Sequence, residues 1–194
     1  RTAADVAALG IGPGDPVVPD APFEVLAGGT RYLGKAWDDR VGCAVVIEAL
    51  RRLKASGHPN QLFVAVTVQE EIGLRGARTA EETQGVLGAG PGIFLYDSST
   101  IPNRKMVALV RDTAKAKGIP LQTDLVQGYG DDSAAIQATG GGVPTVNLVV
   151  PARYTHAHNG IIDRADFDGM VDLVVAMIQR LDTAEVAKLR DFAP

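Results

Sequence analysis

Acidic residues stand in pairs where apolar runs end. In LFVAVTVQEEIGLRGA, residues 62–77, an apolar run rich in β-branched and aromatic side chains gives way to Glu70 and Glu71. Asp38 and Asp39 stand in KAWDDR, Asp97 in IFLYDSS, Asp131 and Asp132 in GYGDDS, and His156 and His158 in RYTHAH. Adjacent carboxylates repel each other and lose hydration near a core, so a positive partner must offset the cost. Acids and neutral imidazoles without a thiol cluster suit a hard or borderline divalent cation such as Zn, Co or Mn. Two cations sharing a carboxylate account for the acid pairs. One member of a pair binds the cation, and the other takes a proton from water on it, whose pKa falls to about 7. The glutamate pair thereby divides into a ligand and a base.

The elements that must position these groups alternate in type. Residues 1–35 are rich in Gly and Pro (GIGPGDPVVPDAPFEVLAGG) and read as short strands and turns without a helix of note. Residues 41–57 read as a helix with Val41, Val45, Ala49 and Leu53 on one face and Gly57 as its stop. Residues 62–68 read as a buried strand, and 92–96, 121–126 and 145–150 as three more. Asn103 caps a helix running to Lys117, with Met106, Val107, Val110 and Ala114 on one face. A short helix follows over 133–139. Asp166 is expected to cap a long final helix with the stripe Phe167, Met170, Val171, Val174, Ile178 and Leu181. Strands alternating with helices predict an α/β fold with a mixed central sheet flanked by helices. In such sheets chemistry collects at the carboxyl ends of the strands, where nearly all of these acids and imidazoles fall.

Composition narrows the classes. The chain has 194 residues, 46% apolar and 22% charged, ordinary for a globular domain. A formal net charge of −4 argues against a nucleic-acid binder. No apolar run approaches the ~20 residues of a membrane-spanning helix. No secretory signal is visible, so cytoplasm is the expected compartment. A single cysteine, Cys43, excludes an internal disulfide framework and is expected to pack in the core.

Four segments, KAWDDRVGCAVVIEAL, TVQEEIGLRGART, GYGDDSAAI and GVPTVNLVVPARYTHAHNGIID, together resemble the co-catalytic metallo-aminopeptidases of the glutamyl and deblocking type. Members of that family assemble as dimers that build tetrahedral dodecamers. The resemblance runs from about Gly10 to Leu181. It implies a zinc-aminopeptidase-like catalytic domain, peptide substrates, a homo-oligomer, and two divalent ions, Zn or Co, with Mn as a further candidate. It implies Asp38 as the carboxylate bridging two metals, joined by a cis peptide to Asp39 at the catalytic centre. Glu70 would be the general base, Glu71 a ligand of one metal and His156 a ligand of the other. Asp132 matches the aspartate of the family's glycine-rich loop at the substrate end of the site.

The resemblance also has departures. The family draws a histidine ligand from an H-x-D segment upstream of A-x-D-D-R, and no histidine precedes Lys35 here. The family's aspartate ligand downstream of its glutamate pair falls near Ile93. The expectation is therefore that a family segment is absent near Thr79–Glu82 and that the family's N-terminal part is absent before Arg1. Residues 1–30 then read as the end of a small β-rich dimerisation domain, 31–182 as the catalytic domain and 183–194 as a tail helix.

Simpler roles stand beside these. Asp39 can cap the helix from Val41 through free N–H groups. Asp97 is either a ligand or a strand-end turn residue, and His158 either a ligand or a surface residue. His58 reads as structural or solvent-facing, and Arg51, Arg52 and Lys54 as a solvated helix face. The glycines of GVLGAGPG precede a strand rather than a helix, which argues against a phosphate loop. Three functions follow: a metal-dependent aminopeptidase, a related deacylase or carboxypeptidase-type amidohydrolase, and a metal-deficient assembly module without catalysis.

Overall fold

The computed structural model describes residues 2–26, 28–68, 70, 85–126 and 128–191. Glu71, expected as a metal ligand, and the region 79–82 lie outside the described residues.

Two sheets organise the described residues. The first is antiparallel, in the order β1 (Glu24–Val25), β2 (Arg31–Gly34), β7 (Gly160–Asp163), β6 (Ala152–Arg153). The second is mixed: β3 (Gly92–Tyr96) lies between β4 (Gln122–Leu125), parallel to it, and β5 (Leu148–Val149), antiparallel. The helices are α1 (Ala3–Ala8), α2 (Trp37–Ser56), α3 (Arg104–Lys117), α4 (Ser133–Gln137), α5 (Arg164–Arg180) and α6 (Thr183–Arg190). The mixed α/β class is as expected.

Local chemistry sets several boundaries. Asn103 accepts the N–H of Met106 and starts α3, and Gly118 ends it in the left-handed region. Val41, Val45, Ala49 and Leu53 are the buried face of α2, as their spacing predicts. One core cluster joins Ile93 of β3 to Val107, Leu109, Val110 and Ala114 of α3, Leu173 and Met177 of α5, and Leu189 of α6. A second joins Val45 of α2 to Met170 and Val171 of α5. Helix α5 is thus buried on two sides, and Leu173 and Met177 extend its apolar face beyond the expected single stripe. Ile93, where the family's aspartate ligand would fall, is a fully buried core residue.

Four expectations are corrected. Residues 62–68 form no ladder among the described residues, and Phe63 and Val68 are 83% and 84% exposed. β-branched and aromatic residues favour a pleated, half-buried surface, and no described strand supplies one here. Asp166 does not cap the last long helix. Asp163 does so by accepting the N–H of Ala165, while Asp166, one turn further in, accepts the N–H groups of Gly88 and Gly90 at 2.8 and 2.7 Å. The opening residues do form a helix, α1, because Thr2 and Asp5 close a capping box. Cys43 is half-buried rather than in either core cluster.

Candidate active site

The connection from β2 to α2 carries the first acid pair. Ala36 adopts a left-handed conformation, and the peptide between Asp38 and Asp39 is cis, as the resemblance implies. Asp38 and Asp39 have non-helical backbone angles, so the regular helix begins after them. Asp39 Oδ1 accepts the N–H of Gly42 at 2.8 Å, capping that helix. A Cβ at position 42 would lie 2.3 Å from Asp39 Oδ2, so the carboxylate folds back only over a glycine. Although Asp39 is exposed as a residue, its carboxyl loses hydration in that position, which raises its pKa. The Gly42 N–H opposes the shift and the Asp38 charge adds to it.

The loop between β6 and β7 brings His156 to this turn. His156 Nε2 lies 3.0 Å from Asp38 Oδ2, with the two side chains 44% and 33% exposed. The second acidic loop follows β4. Asp132 Oδ2 accepts the hydroxyl of Thr67 at 2.8 Å, tying this loop to the segment that leads to Glu70. Tyr129, in the same loop, packs edge-on against Phe94 with ring centroids 5.3 Å apart. Burial raises its phenol pKa, and the negative charges of Asp131, Asp38, Glu70 and Asp97 raise it further. The Tyr129 hydroxyl thus feels carboxylates from four separate segments.

Asp97 is buried and has the turn geometry. Its Oδ1 accepts the N–H and hydroxyl of Ser99 and the N–H of Thr100, and its Oδ2 accepts the amide of Asn147 at 2.7 Å. The Asn147 amide also reaches Asp131 Oδ2 at 2.8 Å and Ser133 Oγ at 3.0 Å. His158 is exposed, and His58 Nδ1 lies against the carbonyl of Asn60. Tyr129, Asn147 and Trp37 were not singled out from the sequence. All three lie inside the motif segments, Tyr129 in GYGDDS, Trp37 in KAWDDR and Asn147 in GVPTVNLVVPARYTHAHNGIID, but residue type and spacing give none of them a role.

The donor set suits a divalent cation. His156 Nε2 and Asp38 Oδ2 stand 3.0 Å apart, the distance of an N–H···O hydrogen bond from the imidazole, and the same nitrogen and oxygen are atoms of the kinds that bind zinc once that hydrogen is lost. Among the described residues no cluster of three or more His, Cys, Asp or Glu side chains completes a metal site.

Comparison with known proteins is decisive at this point. A family model described as M42 glutamyl aminopeptidase matches residues 1–86 and 79–173. The chain belongs to this family. Glutamyl aminopeptidase of Lactococcus lactis is 31% identical over 99% of the chain and 60% of the relative. The TET aminopeptidase of the marine sediment archaeon Thaumarchaeota archaeon SCGC AB-539-E09 superposes with a TM-score of 0.88 at 35% identity, covering 96% of the chain and 60% of that protein. Pyrococcus horikoshii TET1 peptidase, described as able to assemble into a tetrahedron or a large octahedral shell, superposes with a TM-score of 0.72 at 29% identity. That match covers 84% of the chain and 54% of the TET1 protein. The chain thus spans 54–60% of the length of these relatives.

Proposed function

We propose that the chain carries the catalytic domain of a metal-dependent aminopeptidase that removes N-terminal residues from peptides. The observation carrying this reading is the Asp38–His156 pair, whose members come from the two ends of the domain and meet at 3.0 Å. In this reading Asp38, His156 and Glu71 would hold divalent ions, Zn or Co with Mn as a further candidate. The ions supply Lewis acidity to the first peptide carbonyl. Glu70 takes the proton of the attacking water and returns it to the leaving amine. Asp39 fixes the turn that presents Asp38, and Asp132 lies toward the substrate.

The same reading assigns residues 1–30 to a dimerisation domain, 31–182 to the catalytic domain and 183–194 to a tail. The family-model match, broken into two stretches that overlap at 79–86, supports a shortened segment near Thr79–Glu82. The assembly described for the Pyrococcus horikoshii relative supports a homo-oligomer. Among the described residues no helix is long and apolar enough to cross a membrane, and we keep cytoplasm as the proposed compartment.

Hydrolysis of aminoacyl p-nitroanilides, with and without added Zn or Co, tests the proposal. Turnover that requires the cation and a free amino terminus is expected. Turnover of N-acylated substrates alone would favour the deacylase reading. Cation binding without turnover of either class would favour the assembly module.

A further inference from the structure

We propose that Trp37 is a positioning residue for the Asp38–His156 pair, an inference that rests on the metal reading of that pair. Trp37 is the only tryptophan and stands directly before Asp38. Its indole Nε1–H donates to the carbonyl of Gly160 at 3.0 Å. Gly160 opens β7, immediately after the loop that carries His156. The hydrogen bond therefore joins the turn holding one member of the pair to the loop holding the other.

The surface beneath the indole is built for it. Gly34 and Gly160 are ladder partners on β2 and β7. A Cβ at Gly34 would lie 3.2 Å from Trp37 Cζ2, and one at Gly160 would lie 3.0 Å from Trp37 Cδ1. The ring lies over a cross-strand pair that lacks side chains, where any larger residue would crowd it. Phe23 approaches edge-on, with its centroid 6.2 Å from that of Trp37, and Phe23 in turn packs on Tyr32 of β2. Trp37 is thus held by an N–H bond, by two bare glycines and by an aromatic edge. Asp38 is half-buried and His156 exposed, on separate connections, and a cation site needs such donors held in fixed relation. Trp37 is placed to fix that relation without touching the ligand itself.

The test uses Trp37→Phe, which keeps a ring and deletes the N–H, and Gly34→Ala, which keeps the indole and crowds it alone. Zinc affinity by calorimetry, the visible spectrum of the Co(II)-loaded protein and Tm are read for each. A core variant, Val110→Ala, serves as the control for simple loss of stability. Both site variants are expected to bind zinc about tenfold or more weakly, the scale seen when partners of metal ligands are removed, with a changed Co(II) spectrum. Val110→Ala is expected to lower Tm with zinc affinity unchanged. Site variants that lower Tm but keep the parent's zinc affinity and Co(II) spectrum would overturn the inference and leave the metal reading standing. A parent protein that binds no zinc or cobalt would overturn both.

Discussion

Asn147 donates its side-chain amide to Asp97 Oδ2 across 2.7 Å, and so supplies the donor for the one oxygen of Asp97 that the Ser99–Thr100 turn does not use. The same amide holds Asp131 and Ser133, so one neutral side chain joins the loop after β3, the loop after β4 and the approach to β5. Replacing it strands two carboxylates near each other. Asn147→Ala is expected to cost about 2–3 kcal/mol, because a buried ionised acceptor left without its donor keeps its desolvation cost. Thermal melting should show Tm lowered by roughly 5–10 °C on that basis. A change within about 1 °C would mean the amide is not the junction.

Gly42→Ala should act on the acid pair without entering the site. The new methyl would meet Asp39 Oδ2 at 2.3 Å, so the carboxylate must leave the Gly42 N–H and the helix start loses its cap. A loss of about 1 kcal/mol is expected from the cap. Cation affinity should fall as well, since Asp38 is the next residue. Denaturant unfolding and zinc calorimetry on the same variant read the two effects separately.

Tyr129 gives a pH signature. The chain has four tyrosines. Burial and the surrounding acid charges raise the Tyr129 phenol, so the fold favours its neutral form. A group raised in this way contributes stability that is fully present below its ordinary value near 10 and is lost as pH rises through the folded value. Absorbance near 295 nm should therefore show Tyr129 ionising last, with alkaline unfolding. Tyr129→Phe should remove that step and move the alkaline unfolding midpoint upward. A midpoint that stays in place would contradict the assignment.

The sequence was most legible where the signal is local. Asn103 and Gly118 bound α3 because a side-chain acceptor and a left-handed glycine act within one turn. The buried face of α2 follows from spacing alone. Leu62–Val68 was misread because its composition reports a preference for burial, and burial depends on a neighbouring strand that local sequence does not supply. Asp166 was misread for a related reason: an acid at a helix start caps only if its carboxylate turns back, and here it turns toward Gly88 and Gly90. For the proposed site, residue types and order single out Asp38 and His156 as candidates, but their 3.0 Å approach is a tertiary fact. Asn147 and Trp37 were missed because their roles lie wholly in partners remote in sequence.

Glu70→Gln tests most directly the proposal that Glu70 is a base beside a cation held by Asp38 and His156. Turnover of an aminoacyl p-nitroanilide and zinc affinity should be measured on the same variant. Loss of a general base predicts a fall in kcat of about 10²–10⁴-fold with zinc affinity within a few-fold of the parent. A variant that keeps the parent's kcat would contradict the account.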